Sequence, residues 1–407
     1  MPEFMPTWEE RFPYASQLDL PVIGLEAEFK VVIDGKETAP ETVWRTPSGF
    51  INRPMLKRTN KSMQLPTGGA LYFDGGVLEV VTPVIELAPQ CTARVVRSLW
   101  EQIDFVRREL DAWESRAGRS VRLQAFSCHM NISFELTREE RGRNRTIQKL
   151  ALLLAHLLPI PLIVIAENRR STGIGVRPRR ERVEVTLDFI PDPALMSATA
   201  ALVVGIVRDV ISWPSYRASE IDRRQIPRIE GITPGKHATR KGWLTRDFHF
   251  PRNPFKTSLD ARVWKTAAGD KASLREVALG VAMHFKNSVR RYGDPFAYRL
   301  LFSILQGKAP ALLDLPDRPP AYDDVGRAIK WGTLLPELKN FARPVAGGPS
   351  RSVYERLFLK LGRRRPLHID GETLTPVEVR GWYHSIFRTS AGEERMLSID
   401  QLRTLHY

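Results

Sequence analysis

VIGLEAEFKVVI, residues 22–33, alternates in a way that decides the fold. Alternate residues of a strand share a face. Glu26, Glu28 and Lys30 therefore point one way, and Leu25, Ala27 and Phe29 the other. The stretch predicts a strand that ends at the turn Asp34-Gly35. Acids in the middle of so apolar a strand need a reason. A strand with one wet face is the ordinary one.

Working outward, the same pattern recurs. VLEVVTPVI, residues 77–85, predicts a strand entered through Asp74-Gly75-Gly76, with Glu79 between Val77 and Val81. VRLQAFSCHMNISF, residues 121–134, predicts another. There Ser127, His129, Asn131 and Ser133 oppose Cys128, Met130, Ile132 and Phe134. In RVEVTLDFI, residues 182–190, Arg182, Glu184, Thr186 and Asp188 share a face. One wet strand needs no function. Glu26, Glu28, Glu79 and Glu184 at the centres of three strands, with His129 and Asn131 on a fourth, are harder to explain that way. Like charges crowded on a sheet repel. Divalent cations compensate them, because hard cations prefer carboxylate oxygens.

Helices are expected between the strands. Val95, Leu99, Ile103, Val106, Leu110 and Trp113 form one stripe within residues 90–115. Thr137 and Glu140 read as a capping box opening a helix to about Leu158. An apolar helix is expected after Pro191 and Pro193, ending near Trp213. Residues 215–270 read as long basic loops, 272–306 and 351–361 as helices, and 366–407 as mixed. The expected fold is α+β: an antiparallel sheet covered by helices, with a helix- and loop-rich C-terminal half. Residues 1–214 are expected to form the core, and 215–407 to flank or complete the site.

The composition is that of a globular protein, 43% hydrophobic and 26% charged. Two cysteines, Cys91 and Cys128, are too few for a disulfide framework, so a cytoplasmic location is expected. The N-terminal MPEFMPTWEERFPY lacks the basic start and apolar core of a signal peptide. The apolar run from Leu150 to Ala166 contains His156, Pro159 and Pro161, so a membrane span is not expected. A net charge of +15 fits an anionic partner or simply a solvated basic surface.

Together these segments resemble the glutamate–cysteine ligase and carboxylate–amine ligase family, whose catalytic sheet is of the glutamine synthetase-like type. GLEAEF resembles its first strand, FDGGVLEVVTPV its second motif, CHMNISF its His-x-Asn strand and ERVEVTLDFIPDP a later metal-binding strand. The motifs occur in the family's order over roughly the first half of the chain. The resemblance implies that Glu26, Glu28, Glu79, His129 and Glu184 hold magnesium or manganese, and that Asp74 and Asn131 shape the pocket. It implies a reaction in which ATP phosphorylates a carboxylate, an amino acid or another, and an amine attacks the acyl phosphate. The family carries an arginine two residues after Glu184, where this chain has Thr186. Arg182 and the loop residues Lys236, His237, Arg240 and Lys241 are the candidate replacements.

Other readings stay open. A degenerate ligase fold that binds nucleic acid or another polyanion fits the charge and Thr186. A phosphotransferase that stops at the acyl phosphate fits the acids, and a homo-oligomer is compatible with either. Cys128 and His129, adjacent on a strand, face opposite ways and do not form a nucleophile–base pair. The glycines of GIGVR, residues 173–177, match neither a phosphate loop nor a dinucleotide fingerprint.

Overall fold

The computed structural model describes residues 18–58, 62–134, 144–171, 173–237, 242–314, 324–326, 351–369 and 371–406. The opening segment is one strand, β1 (Val22–Ile33), inside a large sheet. It is followed by β2 (Leu56–Arg58), β3 (Met63–Gln64), β4 (Ala70–Asp74) and β5 (Val77–Val81). Next come β6 (Val121–Ser133), β7 (Ile174–Pro178), β8 (Arg182–Asp188), β9 (Gly235–Lys236) and β10 (Trp243–Thr245). The last are β11 (Glu372–Arg380), β12 (His384–Arg388) and β13 (Glu394–Ser398). The spatial order is β9-β10-β7-β8-β6-β1-β5-β4-β3-β2-β11-β12-β13. Along this path every pairing is antiparallel except β2 with β11. The fold is α+β, with an antiparallel sheet and helices packed on it.

One face of the sheet is apolar throughout. Leu25, Ala27 and Phe29 of β1, Leu78 and Val80 of β5, Met130 of β6 and Val185 of β8 all sit in one core. Helix α1 (Cys91–Ala117) lies there with the stripe read from its sequence, and stops at Gly118, whose φ of 64° suits glycine. α2 (Ile147–Leu157) is capped by Thr146, which accepts from the Lys149 amide; the Thr137–Glu140 pair lies outside the described residues. α3 (Pro159–Ala166) follows directly. α4 (Pro193–Ile211) has proline in its first turn, and Asp192 accepts from the Ala194 and Leu195 amides. α4 is long and apolar enough to cross a membrane, but it is mostly buried inside the fold. Residues 272–306 form α5 (Leu274–His284), α6 (Lys286–Tyr292) and α7 (Pro295–Leu305).

The expected strand over 77–85 ends at Val81. Pro83 has no amide to donate, and Thr82 instead binds back to Leu25 through both its backbone and its hydroxyl. The mixed stretch 366–407 supplies β11 to β13 and α9 (Ile399–His406). These pack with α8 (Val353–Gly362) around a second core containing Leu56, Phe358 and Phe387. Arg58 joins the two parts. It donates to the Gly381 carbonyl at 2.8 Å and lies 4.2 Å from the centre of the Trp382 ring. Trp243 and Trp264 pack in or against the main core.

Candidate active site

Strand alternation puts the acids on the face away from the main core, and strand register lines them up. Across β1 and β6, Glu26 lies opposite His129 and Glu28 opposite Ser127; across β1 and β5, Glu28 lies opposite Glu79. Across β6 and β8, Asn131 lies opposite Glu184 and His129 opposite Thr186. The five residues read as metal ligands therefore meet on one face. Ligand atoms of Glu28, Glu79 and His129 lie within 4.8 Å of one another, and so do those of Glu26, His129 and Glu184.

A β-bulge makes this convergence compatible with the core. Strict alternation along β6 would put Val121, Leu123 and Ala125 on the same face as His129. The register slips beside Glu28 and Phe29, and β6 carries the extra residue Phe126. Val121, Leu123 and Ala125 are thereby buried in the core with Cys128 and Met130. Phe126 is left 44% exposed at the edge of the site, with Lys30 over its ring.

The acids are held by a web of partners. Glu26 accepts from Asn131 Nδ2 at 3.0 Å and shares a 2.9 Å hydrogen bond with His129 Nδ1. Glu28 accepts from the Ser127 hydroxyl, and Glu79 from the Tyr72 hydroxyl. Arg182 Nε donates to Asn131 Oδ1 at 2.6 Å and so fixes that amide. Burial lifts the Glu79 carboxyl to about 10, helped by the charge of Glu26. Burial opposes the charge on Glu26 as well, but His129 outweighs it and holds that carboxyl below its usual range. Burial would also lower His129; Glu26 outweighs it and raises the imidazole. Burial and the charge of Glu26 favour a proton on Glu79, and Glu26 favours the charged form of His129, which together offset part of the crowding of the acids. Hard oxygen donors with one imidazole suit magnesium or manganese, so these residues fit such an ion.

Two cavities flank the acids. One, of about 150 Å³, is mainly apolar and runs from Glu26, Asn131 and Arg182 to the turn Gly381-Trp382-Tyr383. The other, of about 440 Å³, is more open and polar; Glu28, Asp74, His129, Arg177, Thr186, His237 and Arg246 line it. Asp74 is exposed at the turn between β4 and β5.

The candidate basic residues separate. Arg182 borders the apolar cavity, and His237 lines the polar one. Lys236 is exposed and lines neither cavity, because β9 is the sheet's outermost strand and turns this side chain to solvent. Arg240 and Lys241 lie outside the described residues. Cys128 is in the core, where burial raises its thiol, and is no partner for His129. Sequence reading missed Tyr72, Arg177 and Arg179. Arg177 had a legible signal: Ile174, Gly175, Val176 and Arg177 alternate like a strand, and β7 pairs Arg177 opposite Glu184.

No protein-family model and no curated protein matches the sequence. Among solved structures, the fold resembles a chain in the complex between Prokaryotic Ubiquitin-like Protein Pup and its Ligase PafA. The TM-score is 0.46 and the identity 11%, over 95% of this chain and 93% of that one.

Proposed function

We propose that this protein is an ATP-dependent ligase that joins a carboxylate to an amine through an acyl phosphate, on a sheet of the glutamine synthetase-like type. The observation that carries this reading is the convergence of Glu26, Glu28, Glu79, His129 and Glu184 on one sheet face. Carboxylates packed this closely repel phosphate unless cations stand between them. Glu28, Glu79 and His129 would hold one magnesium or manganese ion, and Glu26, His129 and Glu184 are the second ligand set. Such an ion neutralises phosphate charge and aligns donor with acceptor.

The chain's own residues do the rest. Asn131 orients Glu26 and is itself oriented by Arg182. The apolar cavity beside Trp382 suits a nucleobase, and the polar cavity suits the carboxylate and the amine. Residues 1–214 carry the acids, and 215–407 complete the walls through His237, Arg246 and Trp382. We place the protein in the cytoplasm, with glutamate, giving a γ-glutamyl bond, as the first carboxylate to try.

The test is ADP release with hydroxylamine trapping across a carboxylate panel in magnesium. ADP with hydroxamate supports the ligase. ADP without hydroxamate or amide makes the protein a kinase or an idle ATPase. Neither, from folded and metal-replete protein, moves the assignment to a polyanion-binding protein.

A further inference from the structure

We propose that Arg177 contacts the transferred phosphoryl group, and that it rests on Glu184 until a divalent cation arrives. The inference depends on the ligase reading above. Glu184 is gripped by two guanidinium groups. Oε1 accepts from Arg177 Nη1 at 2.8 Å and from Arg179 Nη2 at 2.9 Å, and Oε2 accepts from Arg179 Nε at 2.8 Å. The same carboxylate belongs to the ligand set with Glu26 and His129. A divalent cation there competes with the guanidinium groups for one acid and repels them.

The two arginines are not equivalent. Arg177 has a side chain only 12% exposed and lines the polar cavity beside His129 and Thr186. Its Nε is buried without a hydrogen-bond partner. The Arg179 side chain is 30% exposed and lies outside that cavity. The cavity stays open beside Arg177 because its neighbours are small. Thr186 pairs with Gly175, and a Cβ on Gly175 would come within 2.2 Å of the Thr186 hydroxyl. An arginine at 186 would fill this space; threonine leaves it to a guanidinium from the adjacent strand. In the step itself the terminal phosphorus–oxygen bond of ATP breaks and a phosphorus–oxygen bond to the substrate carboxylate forms. ADP leaves as an anion, and Arg177 donates hydrogen bonds to the phosphoryl oxygens without transferring a proton.

The experiment compares Arg177→Ala, Arg177→Lys and Arg179→Ala. Manganese affinity is measured by calorimetry without nucleotide, and ADP formation with ATP and substrate. Arg177→Ala is expected to bind manganese several-fold more tightly than wild type. Its kcat should fall by about a hundredfold or more, with KM for ATP changed less than about threefold. Added guanidinium should restore part of the rate, and lysine at 177 should not match arginine. Arg179→Ala also frees Glu184, so its manganese affinity should rise as well, but its kcat should fall less than that of Arg177→Ala. Equal losses in Arg177→Ala and Arg179→Ala, or an unchanged manganese affinity in Arg177→Ala, would overturn the proposal while leaving the ligase reading intact. An inactive wild type overturns the ligase reading and with it the phosphoryl contact; manganese affinity then decides whether Arg177 rests on Glu184.

Discussion

Two buried acids keep a proton for the same reason, burial beside a second carboxylate. Glu79 keeps a proton because burial and the charge of Glu26 disfavour its ionised form. A divalent cation reverses that preference, so metal and nucleotide together should stabilise the fold. At free ligand about 100 times Kd the gain is about 2.7 kcal/mol. Glu79→Ala should lose most of the corresponding thermal shift, and an equal shift in both proteins would remove Glu79 from the ligand set. Glu167, just after α3, sits beside Asp188 and also accepts from the Ser171 hydroxyl. Burial, then the charge of Asp188, raises it well above its ordinary 4.5. Its folded form retains a proton that the unfolded chain releases above 4.5, so stability falls as pH rises through that window. Glu167→Gln keeps the shape without the titration. Urea melts of the two proteins should therefore diverge in the variant's favour as pH rises above about 4.5. A constant difference would show that Glu167 does not titrate there.

At the scale of elements, the bulge in β6 is the feature that reconciles a continuous core with a polar site. Removing Phe126 leaves an unbroken alternation in which Ala125 still faces the core and Ser127 the site. Deleting Phe126 should therefore cost only about 1–3 kcal/mol in chemical denaturation. Deleting Met130 instead reverses the facing on one side of the gap, sending either His129 into the core or Ile132 out of it. That variant should fail to fold cooperatively. Similar stability in the two deletions would mean that β6 re-registers freely and that the bulge has no such role. The bulge left a trace in the sequence, where the apolar phase shifts from Val121, Leu123 and Ala125 to Cys128, Met130 and Ile132, but sequence reading missed it. It follows from pairing with β1, where Phe29 takes Ala125 and Glu28 takes Ser127.

For the whole molecule, a net charge of +15 coexists with an acidic site. The excess lies outside the ligand set, so it should give weak, non-specific polyanion binding that fades as salt releases counterions. Anisotropy with a random RNA at rising salt measures this; binding that survives physiological salt would favour the polyanion reading. By itself the sequence determined the central strands β1, β5, β6 and β8, helices α1 and α4, and the acids Glu26, Glu28, Glu79 and Glu184 with His129. Those signals are local: alternation, periodic apolar residues and turn or cap residues within one segment. The tertiary structure alone decided that the acids meet, that Tyr72 and Ser127 hold them, and that Arg177 rather than Lys236 borders the polar cavity beside Thr186. It also decided that the parallel pairing of β11 with β2 carries the C-terminal strands onto the sheet. The physical reason is range. Alternation gives the facing of a side chain within its own strand, whereas its neighbours across the sheet depend on strand order and register, which are set by pairing between segments far apart in the chain.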